Sequence, residues 1–352
     1  MARLILCLCI LLVSFPAWAK TVTDVFGRAV EVPDKVERVI GIGSSLSFVT
    51  YLGAQEMIAG VEDMDKMADS TKPYIRANLE HVKNLPVIGK GGAVRMPNYE
   101  RIISLKPDVV FIISTDRGEP ELVQRKLNIP VVAVSYGMPN FDEETFIRSI
   151  KLTGDILNRQ QRAQELTDYI KGIPAKLNYK PAEKNKAYVG GISYRGNQGI
   201  NSTAADFLPM KLAGINNVTD GERKNGQFFV NREYLLLKNP EIIFIDGNGL
   251  GIIADDVRKN PQFYARLKAF KNGRAYLLPP HTSYFVNPEM LYVNAFLMAK
   301  SAYPDKYGDI DPAGIIDEIL TMFNGAGMYA YLKETTGGYG VLEITPEGLK
   351  IK

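Results

Sequence analysis

Cysteine is nearly absent from this 352-residue chain, and its only two cysteines, Cys7 and Cys9, both lie close to the N-terminus. The segment around them has a basic start at Arg3, an apolar run over residues 4–13 and a small residue at Ala19, which is typical of a secretory signal peptide cut after Ala19. An apolar run of this length is about half of the roughly 20 residues that a membrane-spanning helix needs. We therefore expect an exported, periplasmic protein whose mature chain has neither disulfides nor thiolate metal sites.

Histidine is also scarce, and charge of neither sign dominates. The two histidines, His81 and His281, stand far apart in the sequence, so the spacing of a zinc-ligand cluster is missing, and we expect no metal site and no cofactor. The formal net charge is only +3, and no run of lysine and arginine alternates with aromatic residues. A nucleic-acid partner is therefore not expected.

Catalytic signatures are missing as well. The stretch GIGSSL, residues 41–46, begins like the dinucleotide-binding fingerprint, but Leu46 stands where a third glycine is needed for close helix packing. The chain contains no G-x-S-x-G nucleophile elbow and no Walker phosphate-binding loop. We therefore do not expect an enzyme.

The sequence does contain a repeated pattern of short apolar runs that end in small or polar residues. Examples are RVIGIGSS at residues 38–45, DVVFIISTD at residues 108–116 and PEIIFIDGNG at residues 240–249. Short apolar runs separated by helical stretches are typical of parallel strands buried on both faces. The sequence therefore predicts an α/β fold with two Rossmann-like lobes, each built on a parallel sheet.

A change of pattern divides the two lobes. Residues 141–173 carry apolar side chains at near-helical spacing with charges between them, which predicts one long, rigid α-helix. We expect a signal peptide over residues 1–19, an N-terminal α/β lobe over residues 20–140, this connecting helix, and a C-terminal α/β lobe over residues 174–352. The closing TGGYGVLEITPEGLKIK is predicted to be a small hairpin or tail.

An internal repeat supports two similar lobes. The stretch NYERIISLKPDVVFI, residues 98–112, returns as NREYLLLKNPEIIFI, residues 231–245, with matching positions always 133 residues apart. Each copy reads as a short helix, a proline and a buried strand. Asn98 and Asn231 are the expected N-caps of the two helices.

Several of these stretches together resemble one family, the periplasmic substrate-binding proteins of ATP-driven importers for metal chelates such as ferric siderophores, haem and cobalamin. The resemblance covers essentially the whole mature chain. It rests on TDVFGRAVEVP leading into ERVIGIGSS, on Glu100 and Glu233 in the two repeats, on the long helix, and on YPDKYGDIDP near the end. It implies two lobes joined by a rigid helix, a ligand held in the cleft between them, and limited closure.

The resemblance also implies a role for the two glutamates. In the family, one glutamate on each lobe engages arginines of the two permease subunits, and the matching positions here are Glu100 and Glu233. A pair of exposed carboxylates facing a pair of cations would fix orientation and steer encounter. The alternative is that each glutamate lies in the first turn of its helix because negative charge is favourable there.

Ligands of open α/β sheets bind beyond the carboxyl ends of the strands, so the turn residues there are the candidate contacts. An anionic chelate needs cations and hydrogen-bond donors. Each of these residues also has a structural alternative, as a turn or surface group, or for His281 as a hydrogen-bonded histidine. The candidate ligand-binding residues are Ser44, Ser45, Lys90, Arg117, Tyr136, Tyr194, Arg195, Asn201, His281 and Tyr284.

The function expected from these features is capture of a metal chelate, with a ferric siderophore-type complex favoured, and its delivery to an importer. The expected partners are the permease subunits with their cytoplasmic ATPase, and the protein is expected to act as a monomer. Haem, a corrinoid, a nickel or cobalt chelate, or an oxyanion such as molybdate or tungstate remain alternative ligands. An alternative from another class of protein is a sensor or adaptor whose two glutamates, Glu100 and Glu233, contact a receptor instead of a permease.

Overall fold

The computed structural model of this chain describes five stretches of residues. They are residues 19–67, 71–92, 95–138, 141–222 and 226–352. Apart from Ala19, the predicted signal peptide lies outside the described residues. Within the described stretches, no helix is both long and apolar enough to cross a membrane.

Strands and helices alternate through both halves of the chain. The strands are β1 (Ala19–Thr23), β2 (Ala29–Pro33), β3 (Val39–Ile42), β4 (Ile58–Gly60), β5 (Gly89–Lys90), β6 (Met96–Pro97), β7 (Val109–Ile112), β8 (Val131–Ala133), β9 (Lys186–Gly190), β10 (Ser202–Ala205), β11 (Asn216–Asn217), β12 (Gly226–Phe229), β13 (Ile242–Asp246), β14 (Ala275–Leu278), β15 (Thr282–Ser283), β16 (Phe285–Val286), β17 (Gly340–Thr345) and β18 (Gly348–Ile351). The helices are α1 (Leu46–Tyr51), α2 (Pro73–Ala77), α3 (Leu79–Val82), α4 (Tyr99–Ser104), α5 (Glu119–Leu127), α6 (Glu143–Ile156), α7 (Gln160–Lys176), α8 (Leu208–Leu212), α9 (Arg232–Lys238), α10 (Leu250–Lys259), α11 (Pro261–Arg266), α12 (Lys268–Lys271), α13 (Pro288–Ala302), α14 (Pro304–Tyr307), α15 (Pro312–Asn324) and α16 (Tyr329–Thr336).

Two largely parallel sheets form the centres of the two lobes, which confirms the predicted fold class. The first has the strand order β4-β3-β7-β8 and is parallel throughout. The second has the order β11-β9-β13-β14-β17-β18, in which the first four strands are parallel and the closing hairpin β17–β18 is antiparallel. The central strands β3, β7 and β13 are buried along their whole length, as expected for a sheet covered on both faces.

The internal repeat is visible in the structure as two equivalent helix–strand units, α4–β7 and α9–β13. The Asn98 side chain accepts a hydrogen bond from the Arg101 amide at 2.9 Å, and Asn231 accepts one from the Tyr234 amide at 2.8 Å. Both asparagines are therefore N-caps, as predicted. After each helix the chain passes through a left-handed residue, Lys106 (φ 49°) or Asn239 (φ 37°), in equivalent positions.

The stretch predicted as one connecting helix is two helices, and this corrects the prediction. Helix α6 ends at Ile156 and α7 begins at Gln160, with Asn158 between them in the left-handed region at φ 54°. Asparagine tolerates this conformation better than most residues, and it ends α6 because a left-handed residue cannot continue a right-handed helix. The Arg159 amide then bonds to the Gly154 carbonyl at 2.8 Å, which closes the turn.

The lobes share one apolar core in addition to a separate core on each sheet. In the shared core, Phe146 of α6 packs on Phe48 of α1 and stacks on Phe323 of α15. A buried polar contact crosses the same region, because the Tyr51 hydroxyl donates to a Glu289 carboxylate oxygen at 2.6 Å. The two lobes are thus packed against one another as well as joined along the chain.

Candidate functional site

The parallel strands of both sheets end in turns of small and polar residues. After β3, Gly43 and Ser44 both have left-handed backbones, with φ of 69° and 62°. A side chain on Gly43 would not fit, because its Cβ would lie 2.2 Å from an Arg95 guanidinium nitrogen and 2.8 Å from the Ile113 carbonyl oxygen. The absence of a side chain at Gly43 therefore lets Arg95 lie directly against this turn.

A segment of the C-terminal lobe, residues 281–287, reaches across to the N-terminal lobe, and we call it the crossing segment. Its Val286 amide donates to the Tyr136 hydroxyl at 3.3 Å. The Phe285 ring lies under the Arg95 guanidinium, 6.0 Å from the ring centroid to Cζ. The turns of the first sheet and the crossing segment therefore meet at one place, and this place is the candidate ligand site.

Charged side chains are packed closely at this meeting point. The Glu62 carboxylate accepts a hydrogen bond from the Gly43 amide at 3.0 Å, and Arg95 pairs with Glu119 at 2.5 Å. Lys72 is almost fully buried and pairs with Asp65 at 2.7 Å. The pKa of Glu62 is raised to about 7, chiefly by burial and secondarily by the charge of Asp65, against the opposite influence of the Gly43 amide, Arg95 and Lys72.

Two buried hydroxyls border these charges. Ser44 follows Gly43 in the first turn, and Tyr284 belongs to the crossing segment. Within the described residues, neither Ser44 Oγ nor Tyr284 Oη makes a hydrogen bond of normal geometry, although the Tyr74 hydroxyl lies near Ser44 and the Gly92 backbone lies near Tyr284. Burial, and secondarily the charge of Glu62, raise the pKa of Tyr284, so its hydroxyl keeps its proton and is a donor. Buried polar atoms without a partner are uncommon, and a bound ligand would supply one here.

His281 begins the crossing segment and is held by an aspartate. Its Nδ1 lies 2.7 Å from Asp246 Oδ2, and the pair is buried. The Phe207 ring packs edge-on against the imidazole at a centroid distance of 5.3 Å. A carboxylate at Nδ1 fixes the orientation of the ring and assigns the Nδ1 proton to this hydrogen bond. The remaining nitrogen, Nε2, is then the one suited to accept a hydrogen bond or bind a metal ion.

Aromatic and cationic side chains are exposed where β9 ends. Tyr194 and Phe229 are 47% and 55% exposed, and their rings meet edge-on at a centroid distance of 6.4 Å. The Arg195 guanidinium lies 5.5 Å from the Tyr194 ring centroid. Exposed aromatic rings beside a cation form a surface suited to an organic anion.

Other predicted site residues have contacts within the fold. The Ser45 hydroxyl donates to the Phe111 carbonyl and accepts from the Ile42 amide, and Asn201 donates to the Val230 carbonyl at 2.6 Å. Tyr136 is buried, and burial raises its pKa. Arg117 donates to the Phe26 carbonyl at 3.2 Å and lies over the Phe26 ring, so it contacts the β1–β2 turn. Lys90 is exposed on β5.

The structure thus brings Ser44, Tyr136 and Tyr284 to the meeting point, with His281 at the start of the same segment. Sequence reasoning missed Arg95, choosing instead Lys90 in the preceding glycine-rich turn. Arg95 stands in an irregular stretch before β6, and no periodic pattern distinguishes it. Its importance comes from contacts with Ile113, Glu119 and Phe285, which are distant in the sequence.

Glu100 and Glu233 lie on α4 and α9, each in the first turn of its helix. Both are exposed, and neither forms an ion pair with any described residue. The described residues also hold no group of three or more histidine, cysteine, aspartate or glutamate side chains arranged to bind a metal ion. A bound metal ion would therefore have to bring its own ligands, as a chelate does, or bind to side chains that do not form such a group.

Comparison with known proteins finds one matching family and several similar proteins. The family described as periplasmic binding protein matches residues 49–282. The molybdate-binding protein MolA of Haemophilus influenzae is 26% identical over 339 residues, which is 88% of this chain and 92% of MolA. The high-affinity heme uptake system protein IsdE of Staphylococcus aureus is 30% identical over 207 residues, which is 55% of this chain and 66% of IsdE.

Solved structures show the same fold. MolA bound to molybdate has a TM-score of 0.67 at 23% identity, covering 88% of this chain and 98% of MolA. Helicobacter pylori CeuE with Ni(II) bound has a TM-score of 0.64 at 20% identity, covering 90% of this chain and 99% of CeuE. At these identities the similarity establishes the architecture and leaves the ligand of this chain open.

Proposed function

This chain belongs to the periplasmic binding protein family, and from that premise we propose that it captures an anionic metal chelate between its lobes. As a family member it is a solute-binding component of an ATP-driven importer, and it is not an enzyme. The observation that carries the chelate proposal is the exposed surface of Tyr194, Phe229 and Arg195 beside the strand ends. A bare inorganic ion has no apolar shell to cover such a surface, whereas an organic chelate does. Among chelates, a ferric siderophore-type complex is the one we favour.

The buried groups fit the inner end of such a ligand. Tyr284 and Ser44 supply hydroxyls without partners, and His281 offers Nε2 toward a metal or a chelating oxygen. Arg95 adds positive charge that its pair with Glu119 offsets in part. Asp246 keeps that nitrogen available by bonding Nδ1. The expected result is a site with an aromatic entrance and a polar interior.

The experiment that tests this proposal is native mass spectrometry with metal analysis on protein isolated from its own periplasm without added ligand. A bound organic mass with iron supports the chelate.

Isothermal titration with a ferric tricatecholate then tests the role of His281 in binding. We expect His281→Ala to weaken binding about tenfold or more, because a hydrogen bond or metal bond to a buried group is lost. His81→Ala is the matched control and leaves affinity unchanged.

An oxyanion such as molybdate or tungstate is the second candidate, and one observation favours it. Two unpartnered hydroxyls beside one guanidinium, Ser44, Tyr284 and Arg95, match the needs of a small tetrahedral anion. MolA, similar over most of both chains, is a molybdate-binding protein. Molybdenum or tungsten without an organic mass in the isolated protein would favour this candidate over the chelate.

For delivery, we propose that Glu100 and Glu233 dock onto the permease. Both carboxylates are exposed and lack an ion-pair partner among the described residues, so their charge is available to an arginine on another protein. We expect the double variant Glu100→Lys, Glu233→Lys to abolish uptake and to keep the affinity for ligand. A loss of ligand affinity in this variant would mean that the glutamates serve the cleft or the fold. A sensor or adaptor role would instead leave uptake intact and change a receptor response.

A further inference from the structure

An exposed aliphatic side chain accompanies each of the two glutamates. Leu237 on α9 is 83% exposed, the highest value for a large hydrophobic side chain among the described residues. Ile103 on α4 is 45% exposed. Single exposed aliphatic residues are ordinary on protein surfaces, but here one follows the glutamate of each repeat, three residues after Glu100 and four residues after Glu233, at positions that the repeat itself does not pair. The association therefore calls for an explanation that involves both lobes.

Helix geometry puts each aliphatic residue on the same face as its glutamate. At about 100° per residue, Leu237 lies about 40° around α9 from Glu233, and about 160° from the buried Leu235. Ile103 lies about 60° around α4 from Glu100 on the same scale. Residues separated by three or four positions are neighbours on a helix surface. Each lobe therefore presents a carboxylate and an aliphatic side chain side by side.

Among the described residues, no cation forms an ion pair with Glu233 on α9. Arg232 pairs with Asp256 at 2.6 Å, and Lys238 pairs with Glu222 at 3.0 Å, so the two cations of this helix are already engaged within the lobe. In the part of the chain that the structure describes, the surface around Leu237 thus combines an apolar side chain with a carboxylate that has no ion-pair partner. A partner for this surface must bring a positive charge and an apolar contact together.

We propose that Leu237 and Ile103 are the apolar anchors of importer docking, each inserting beside an arginine of a permease loop while the adjacent glutamate pairs with that arginine. An arginine suits both groups because its charged end pairs with a carboxylate and its methylene stem packs against an aliphatic side chain. This inference rests on the proposed docking role of Glu100 and Glu233. It adds the contacts that exclude water around the ion pairs, where a charge pair alone gives orientation more than affinity.

The two helices are suited to rigid docking. Asn98 and Asn231 cap their first turns, and the equivalent left-handed residues end them, so the exposed face is fixed by the fold on both sides. A fixed face binds without the cost of ordering a loop. We expect Leu237 to contribute more to the affinity for the permease than Ile103 does, because Leu237 has the larger exposed surface.

The test measures binding of the ligand-free, full-length mature protein to its permease–ATPase complex in lipid nanodiscs by surface plasmon resonance. We expect Leu237→Ser to weaken binding about tenfold and Ile103→Ser to weaken it less, because truncating a central apolar contact removes a hot spot. Leu237→Met keeps an apolar side chain and is expected to bind as the wild type does. Leu122→Ser, on α5, is the matched control, since Leu122 is an exposed aliphatic residue with 43% exposure on another helix.

Wild-type binding by Leu237→Ser overturns the proposal, provided that Glu233→Ala weakens binding in the same experiment. If the double variant Glu100→Ala, Glu233→Ala also binds as the wild type does, the proposed docking face fails together with the anchors. Binding of the wild type to nanodiscs without the importer, lost in Leu237→Ser, would assign Leu237 to the lipid surface and would overturn the proposal as well. Thermal melting of each variant establishes that the compared proteins are folded.

Discussion

At the scale of single residues, Glu62 is a buried carboxyl whose protonation changes near neutral pH. Its pKa in the folded protein is about 7, against an ordinary value of 4.5, chiefly because of burial. A carboxyl with a raised pKa makes the folded state bind its proton more tightly than the unfolded state does. Ionisation of Glu62 therefore lowers the free energy of unfolding as the pH rises from about 4.5 to about 7, by about 3 kcal/mol at most.

We predict that Glu62→Gln makes the free energy of unfolding less dependent on pH between 5 and 8. Glutamine keeps an oxygen that accepts the Gly43 amide but cannot ionise, so the cost of burying a charge at pH 8 disappears. Urea unfolding of both proteins at the two pH values measures the effect. The gain from the substitution should be larger at pH 8 than at pH 5, and an equal gain at both values would contradict the prediction.

At the scale of elements, the internal repeat supplies its own control for helix ends. Lys106 and Asn239 occupy equivalent left-handed positions after α4 and α9. This conformation costs a residue with a Cβ roughly 1–2 kcal/mol, asparagine less, and glycine little. We predict that Lys106→Gly raises the free energy of unfolding by up to about 1 kcal/mol. Asn239→Gly gains little from the backbone and removes the hydrogen bond that the Asn239 side chain accepts from the Lys268 amide at 2.9 Å, so we expect it to lower the free energy of unfolding by about 1 kcal/mol.

Urea unfolding curves of the two variants check this prediction directly. Lys106 is exposed, so its substitution removes no buried surface. An equal gain at the two positions would contradict the prediction, because Asn239→Gly also removes the hydrogen bond from the Lys268 amide. A loss of stability in Lys106→Gly would show that the lysine side chain makes a contact whose value exceeds the backbone strain.

The elements themselves were largely predictable, and the exception has a physical cause. Apolar runs that end in glycine or serine identified the buried strands, and asparagine at Asn98 and Asn231 identified two helix starts, because these signals are local. The break between α6 and α7 was not predicted, since the apolar spacing continues from Ile150 through Leu157 to Ala163. A single left-handed Asn158 interrupts the helix without interrupting that pattern.

The site was less predictable than the elements because its contacts join distant parts of the chain. Strand ends directed attention to Ser44 and to the turn containing His281, and a ligand role for these residues stays a prediction. The position of Arg95 against Gly43 and Phe285 depends on how the crossing segment packs on the first lobe. Sequence patterns carry periodicity and turn chemistry, and neither reports which turns meet.

At the scale of the whole molecule, the shared core limits how far the lobes can separate. Phe48 and Tyr51 of the first lobe pack with Phe146 and Phe323, and Tyr51 donates to the fully buried Glu289. Burial raises the pKa of Glu289, and Asn324 donates to its second oxygen at 3.2 Å. Opening the lobes at this place would expose apolar rings and break the two hydrogen bonds to Glu289, both of which cost free energy.

We therefore predict limited closure on ligand binding, with interface backbone movement on the order of 1 Å. The break between α6 and α7 interrupts the helix, but Leu157 in this break is itself part of the shared core, so the break alone does not release the lobes. Small-angle X-ray scattering with and without ferric tricatecholate measures the change, and the two radii of gyration should nearly coincide. The variant Glu289→Ala, which leaves Tyr51 and Asn324 without their shared acceptor, should widen the difference. A strong contraction of the wild-type protein on ligand addition would mean that the lobes hinge at residues 157–159 in spite of the core.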